Sequence, residues 1–152
     1  MEKLRGHGMN RPNKVIIHCT ATLDSTNPHL RAADVDRWHK ENGWKGIGYH
    51  WFIGRDGLIE HGRLETEPGA HTIGENRTSI GIAYAGSKKP TFAQMDSFKV
   101  LYSNIKKRWN IGWEDWHGHR EYAVKDCPGF DIILLRYILS GIDDGISINA
   151  TS

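Results

Sequence analysis

The sequence predicts a single α/β domain with a central mixed β-sheet flanked by helices. Three observations predict it. Short apolar runs rich in β-branched residues alternate along the chain with stretches of helical periodicity. An "RDG" turn at 55–57 sits between two strand-like runs and adds a hairpin to that alternating order. The length of 152 residues, 38% hydrophobic and 25% charged, suits one compact core.

The elements follow in order. Residues 1–11 are polar and glycine-containing, and a loose segment is expected there. "KVIIHCTAT" (14–22) opens with a β-branched run and reads as a buried strand ending near His18. "LRAADVDRWHKENG" (30–43) reads as a helix stopped by Gly43. "GIGYHWFIGRDGLIEHGR" (46–63) reads as strand, turn and strand, with Ile47 to Ile53 a central strand covered on both faces. "SIGIAYAG" (79–86) is a further strand, whose glycines point to close packing or a neighbouring cleft. "TFAQMDSFKVLYSNIKKRWN" (91–110) is a helix opened by a Thr91–Gln94 capping box, with Phe98, Leu101, Tyr102, Ile105 and Trp109 as its apolar stripe. "DIILLRYILSG" (131–141) is a last, mostly buried helix. The domain is expected over 12–141, with a polar tail over 142–152.

Charge and hydropathy exclude several classes. The formal net charge is +2, and the longest basic run, "KKR" at 106–108, falls on a solvated helix face, so no nucleic-acid partner is expected. No apolar run approaches the roughly 18 residues of a membrane span. The start, "MEKLRGHGMN", lacks the apolar segment of a secretory signal, so synthesis in the cytoplasm is expected. The two cysteines, Cys19 and Cys127, are expected free or metal-bound, although a disulfide stays open on sequence alone. A monomer is expected.

The stretch "HGHREYAVKDCPGF" (117–130) places His119 eight residues before Cys127. It is either a polar loop or part of a metal site. Zinc takes imidazole nitrogen and thiolate sulfur, and a catalytic zinc keeps three protein ligands and one open position. His119 and Cys127 would supply two ligands. His18, at the end of a central strand, is placed to supply the third.

Further pieces of the chain carry a resemblance. "VIIHCTAT" (15–22), "VDRWHKENGW" (35–44), "GIGYHWFIGRDG" (46–57), "GAHTIGENRTSIGI" (69–82), "TFAQMDSF" (91–98) and "GHREYAVKDCPGFD" (118–131) resemble, in this order, the zinc-dependent N-acetylmuramoyl-L-alanine amidases of the phage-lysozyme type, relatives of the peptidoglycan recognition proteins. The resemblance covers roughly residues 14–140 and implies an amidase/peptidoglycan-recognition-protein-like fold. It implies Zn2+ held by His18, His119 and Cys127, with Tyr49 and Lys125 as catalytic residues. It places His71 along the substrate groove, where groove contact and structural hydrogen bonding are equally open. The implied reaction is cleavage of the bond between N-acetylmuramic acid and L-alanine in peptidoglycan by an endolysin that meets the wall after release. The alternatives are a non-catalytic peptidoglycan-binding module, or a regulator that binds a phage RNA polymerase. One departure is visible: many relatives carry proline before the lysine, and Val124 stands here, which is expected to loosen the loop that aims Lys125.

The remaining polar residues are assigned structural places. His50 is expected beneath the sheet, opposite Tyr49. His117 is expected to face solvent, Arg120 and Glu121 to be surface charges, and Asn76 to hold the loop before the "SIGI" strand. Cys19 should point away from the metal into the core.

Overall fold

The computed structural model describes residues 8–145. Five strands form one sheet: β1 (Lys14–Cys19), β2 (Trp51–Ile53), β3 (Ile59–His61), β4 (Ser79–Tyr84) and β5 (Trp116–Gly118), in the order β3-β2-β4-β1-β5. Strands β2, β4, β1 and β5 run parallel, and the β2–β3 hairpin supplies an antiparallel pair, so the sheet is mixed as the sequence predicts. Among the described residues, three helices flank it: α1 (Ala32–Glu41), α2 (Phe92–Trp109) and α3 (Ile132–Asp143). Among the described residues, no helix is long and apolar enough to cross a membrane.

Strand alternation divides the side chains between two faces. Val15, Ile17 and Cys19 of β1 join Ile80, Ile82 and Tyr84 of β4 in the larger core, against Phe98, Leu101, Tyr102 and Ile105 of α2 and Leu135 and Leu139 of α3. On the other face, Phe52 and Ala83 pack with Val35 of α1, Leu30 and Ile47. His18 pairs with Ala83 across β1 and β4, so it emerges on the α1 side. Burial on both faces explains why β1 and β4 read as near-continuous apolar runs.

Helix α2 is fixed at both ends. Thr91 Oγ1 accepts from the Gln94 N–H at 3.1 Å, and Gln94 Oε1 accepts from the Thr91 N–H at 2.9 Å. The buried Gln94 amide also donates to Ala85 O at 3.0 Å and Ile53 O at 3.3 Å, tying the helix to the ends of β4 and β2. Asn110 closes the other end in the left-handed region, φ 57°.

Four expectations need correction. The strand expected from Ile47 to Ile53 starts only at Trp51. Before it, the Gly48 N–H donates to His39 Nδ1 at 2.9 Å and the Gly48 carbonyl accepts from Ala70, so side chain and loop replace the ladder. Alternation therefore fails before Trp51, and His50 does not pack beneath the sheet. It stays on the His18 side, its ring 5.9 Å from that of His71. The expected loose N-terminal segment is anchored at its end, where buried Asn10 donates to Ser79 O at 2.8 Å and Glu65 O at 3.0 Å. Helix α3 runs to Asp143, past the expected end at 141. The rest of the expected terminal segments, 1–7 and 146–152, lies outside the described residues.

Candidate active site and metal centre

The site forms at the carboxyl end of β1, where the parallel strands stop and loops take over. His18 is the penultimate residue of β1 and is buried. β5 lies beside β1 in parallel and ends at Gly118, so His119 emerges next to His18, with ring centroids 4.4 Å apart. Strand β5 is the element missing from the sequence reading, because three residues give too short a pattern to declare a strand.

The chain then folds back on itself. The Arg120 N–H donates to Cys127 O at 2.6 Å, and the Arg120 guanidinium donates to Pro128 O. This clasp turns an eight-residue spacing into a neighbouring pair. The far end is held by Tyr84, whose hydroxyl donates to Lys88 O at 2.6 Å and accepts from the Gly129 N–H at 3.0 Å. Cys127 Sγ accepts from the Cys19 main-chain N–H at 3.2 Å. One ligand-capable atom from each of His18, His119 and Cys127 lies within 4.8 Å of the others. An ion with bonds of about 2.0–2.3 Å to nitrogen and sulfur fits such a donor set.

The electrostatics suit a cation. Burial first, then His71, His119 and Lys125, hold His18 well below the ordinary imidazole value. Burial and Lys125 lower His119 as well. Both rings are therefore neutral near pH 7, the state that ligates metal. The neighbouring Cys19 thiol, then burial, push the Cys127 thiol up. A cation held at that sulfur would favour the thiolate instead.

The donors face an open cavity of about 1250 Å³ that Tyr49, His71 and Lys125 also line. Tyr49 stands 5.1 Å from the His18 ring, centroid to centroid. Burial, then Cys127 and Cys19, raise its phenol above the ordinary value, so the hydroxyl stays protonated and acts as a donor. Lys125 is exposed on the loop between His119 and Cys127 and makes no ion pair among the described residues. Val124 and, from the 69–78 loop, Ile73 are both exposed and both line the cavity. The clasp by Arg120, rather than residue 124, holds this loop.

Other residues expected to be bland turn out to support the site. Glu121 accepts from the Gly118 N–H at 2.7 Å, and also meets His117 at 3.0 Å and Arg136 at 3.0 Å. It thus fixes the turn from β5 into His119, and His117 is tied into this cluster rather than facing solvent. Arg120 and Glu121 are exposed, as expected, yet both hold main chain. The sequence signal was there, in a charged pair following a histidine, but its partners lie on other elements. Asn76 Oδ1 accepts from the His71 and Thr72 N–H groups at 2.9 and 3.0 Å, holding the loop before β4. His50 spends both nitrogens on main chain, accepting from Gly81 N–H at 3.0 Å and donating to Glu67 O at 2.7 Å.

Fold and site together define a class: an α/β domain that presents two imidazoles and a thiol to an open cavity at the carboxyl end of a parallel strand pair. Residues 8–130 match the N-acetylmuramoyl-L-alanine amidase family, and the chain belongs to it. It is 37% identical over 126 residues to the endolysin of Escherichia phage T7, covering 78% of this chain and 81% of that one. It is 35% identical over 125 residues to peptidoglycan-recognition protein SC2 of Drosophila melanogaster, covering 78% of this chain and 68% of that one. Its structure is similar to that of the N-acetylmuramoyl-L-alanine amidase LysC from Clostridium intestinale URNW, with a TM-score of 0.75 at 29% identity over 91% of this chain and 88% of that chain.

Proposed function

We propose that this chain is a zinc-dependent peptidoglycan amidase of the endolysin kind. It would hydrolyse the amide bond between N-acetylmuramic acid and the L-alanine of the stem peptide, on walls it reaches after release from the cytoplasm. The observation that carries this reading is the convergence of His18, His119 and Cys127 at one cavity that Tyr49 and Lys125 also line. A bound zinc ion would supply Lewis acidity and a water acidified to near neutrality.

The chain's own groups do the rest. Attack on the amide carbonyl places negative charge on its oxygen. Lys125, on the loop between two of the donors, brings an ammonium to that charge, and such donors are typically worth about 3–4 kcal/mol. Tyr49 keeps its proton and hydrogen-bonds the attacking water or the leaving nitrogen. Its role is positioning first, with proton transfer second. Exposed Ile73 and Val124 give the cavity apolar lining suited to the alkyl parts of a stem peptide.

The test is digestion of purified walls with metal analysis alongside. About one zinc per chain is expected, with release of stem peptides that begin with L-alanine and glycan strands left intact. New reducing sugar ends without new amino termini would refute the amidase reading. Wall binding with no cleavage by the zinc-loaded protein would establish the binding-module alternative instead.

A further inference from the structure

His71 lies beside His18 at the cavity, outside the donor triad, and its placement is unusually constrained. Its ring occupies a slot left by two glycines. A Cβ on Gly81 would stand 2.5 Å from His71 Cδ2 and 2.7 Å from Cγ and Nε2, and a Cβ on Gly69 would stand 2.5 Å from Cδ2. Neither side chain fits while the ring is there. The main chain is fixed too, because Asn76 holds the His71 N–H. The ring has one place to be.

The hydrogen bonds around it have one consistent direction, assigned from heavy-atom geometry. Ser79 Oγ donates to Glu75 O at 2.7 Å, so it offers a lone pair to His71 Nε2 at 3.3 Å. The His71 proton is then on Nε2, and Nδ1 is an acceptor. Nδ1 lies 2.9 Å from His18 Nε2. Thr72 Oγ1 closes the triangle, 2.9 Å from His71 Nδ1 and 3.3 Å from His18 Nε2. His18 therefore carries its proton on Nε2, which leaves its Nδ1 lone pair free.

We propose that His71 is a positioning residue that locks His18 in the Nε2–H tautomer and aims Nδ1 at the metal centre, with Gly69 and Gly81 kept bare to admit its ring. This rests on the metal-centre reading above. It recasts the groove-contact expectation for His71, whose polar edges are spent inside the protein. Outer partners of this kind typically tune metal affinity by about 10–100-fold.

Two measurements test it. In the metal-free wild type, nitrogen NMR of labelled histidine should show His18 as the Nε2–H tautomer. The Nδ1–H tautomer would overturn the proposal without any metal being involved. Zinc affinity by chelator competition should fall about 10–100-fold in His71→Ala and stay within a few-fold of wild type in His71→Asn, whose Oδ1 can replace the Nδ1 acceptor. Gly81→Ala should weaken zinc binding alone, by displacing the ring, but add nothing in the His71→Ala background. Equal affinity of His71→Ala and wild type would overturn the positioning role and leave the metal centre standing. A wild type that binds no zinc would overturn both.

Discussion

Glu65 is the substitution whose cost can be worked most directly from the structure. Its side chain is 10% exposed and accepts from Arg108 Nε at 2.6 Å, Arg108 Nη2 at 2.7 Å, Trp51 Nε1 at 2.8 Å and Trp109 Nε1 at 2.9 Å. One carboxylate thus joins β2 to the end of α2, shortly before the loop that carries His71. Glu65→Gln keeps the shape, removes the charge and turns an amide donor toward donors. Hydrogen bonds to a charged group contribute about 1.5–3 kcal/mol each, against about 0.5–1.5 for neutral ones. Arg108 is 43% exposed, so its share is discounted for solvent screening. The expected loss is about 2–3 kcal/mol, or roughly 4–12 °C in Tm for a chain of this size.

The pH dependence of that gap is a second readout of the same experiment. Burial alone would raise the Glu65 carboxyl, but the bonds from Arg108, Trp109 and Trp51 outweigh it and leave it below its ordinary value of 4.5. A depressed carboxyl stabilises the fold above its unfolded value and loses that contribution as pH falls through the folded one. Urea melts of wild type and Glu65→Gln should therefore differ by about 2–3 kcal/mol at pH 7. They should converge as pH drops below 4.5. A gap under about 0.5 kcal/mol at pH 7, the scale of an ordinary surface substitution, would refute the reasoning.

The other predictions concern the site. Cys127→Ala should lose zinc. Cys19→Ala should keep it, because Cys19 reaches the sulfur through its main-chain N–H, which alanine preserves; metal analysis of the two variants decides this. Lys125→Ala should keep zinc and wall binding while single-turnover cleavage slows by about 10²–10³-fold, and an unchanged rate would remove it from the chemistry. Tyr49→Phe should lower kcat with substrate affinity nearly kept, read from single-turnover cleavage beside a binding titration; unchanged turnover would make Tyr49 a packing residue.

Most of the fold was legible because its signals are local. The apolar run of β1, the capping box of α2 and the "RDG" turn each sit within a few residues of the element they specify. What failed depended on contacts distant in sequence. The stretch Ile47–His50 reads as strand, yet the Gly48 backbone bonds go to His39 and Ala70, so regular alternation does not run through it, and assuming it misplaced His50 relative to Tyr49. Three-residue β5 exists only because β1 is there to pair with. At the site, residue chemistry and family pattern named His18, His119 and Cys127 as candidate donors, and the structure brings the three together. The groups that hold them were not legible. Arg120 and Glu121 look like any surface charges until Pro128 O and the Gly118 N–H are seen in front of them.

These holding groups show how an eight-residue spacing brings two candidate ligands, His119 and Cys127, together. Zinc signatures usually lie close in sequence, so that local turns do the gathering. Here the gathering is divided. Parallel pairing of β5 with β1 sets His119 beside His18, and this part is as rigid as the sheet. The Arg120 clasp and the Tyr84–Gly129 bond then return Cys127 to the same point, across a loop whose tip is exposed. That tip carries Val124 and Lys125. In the proposed function, a group that would meet charge developing on a substrate sits on a loop bounded at both ends by the candidate metal donors His119 and Cys127. Val124 takes no part in these anchoring bonds, which are made by Arg120 to Cys127 O and Pro128 O and by Tyr84 to Gly129.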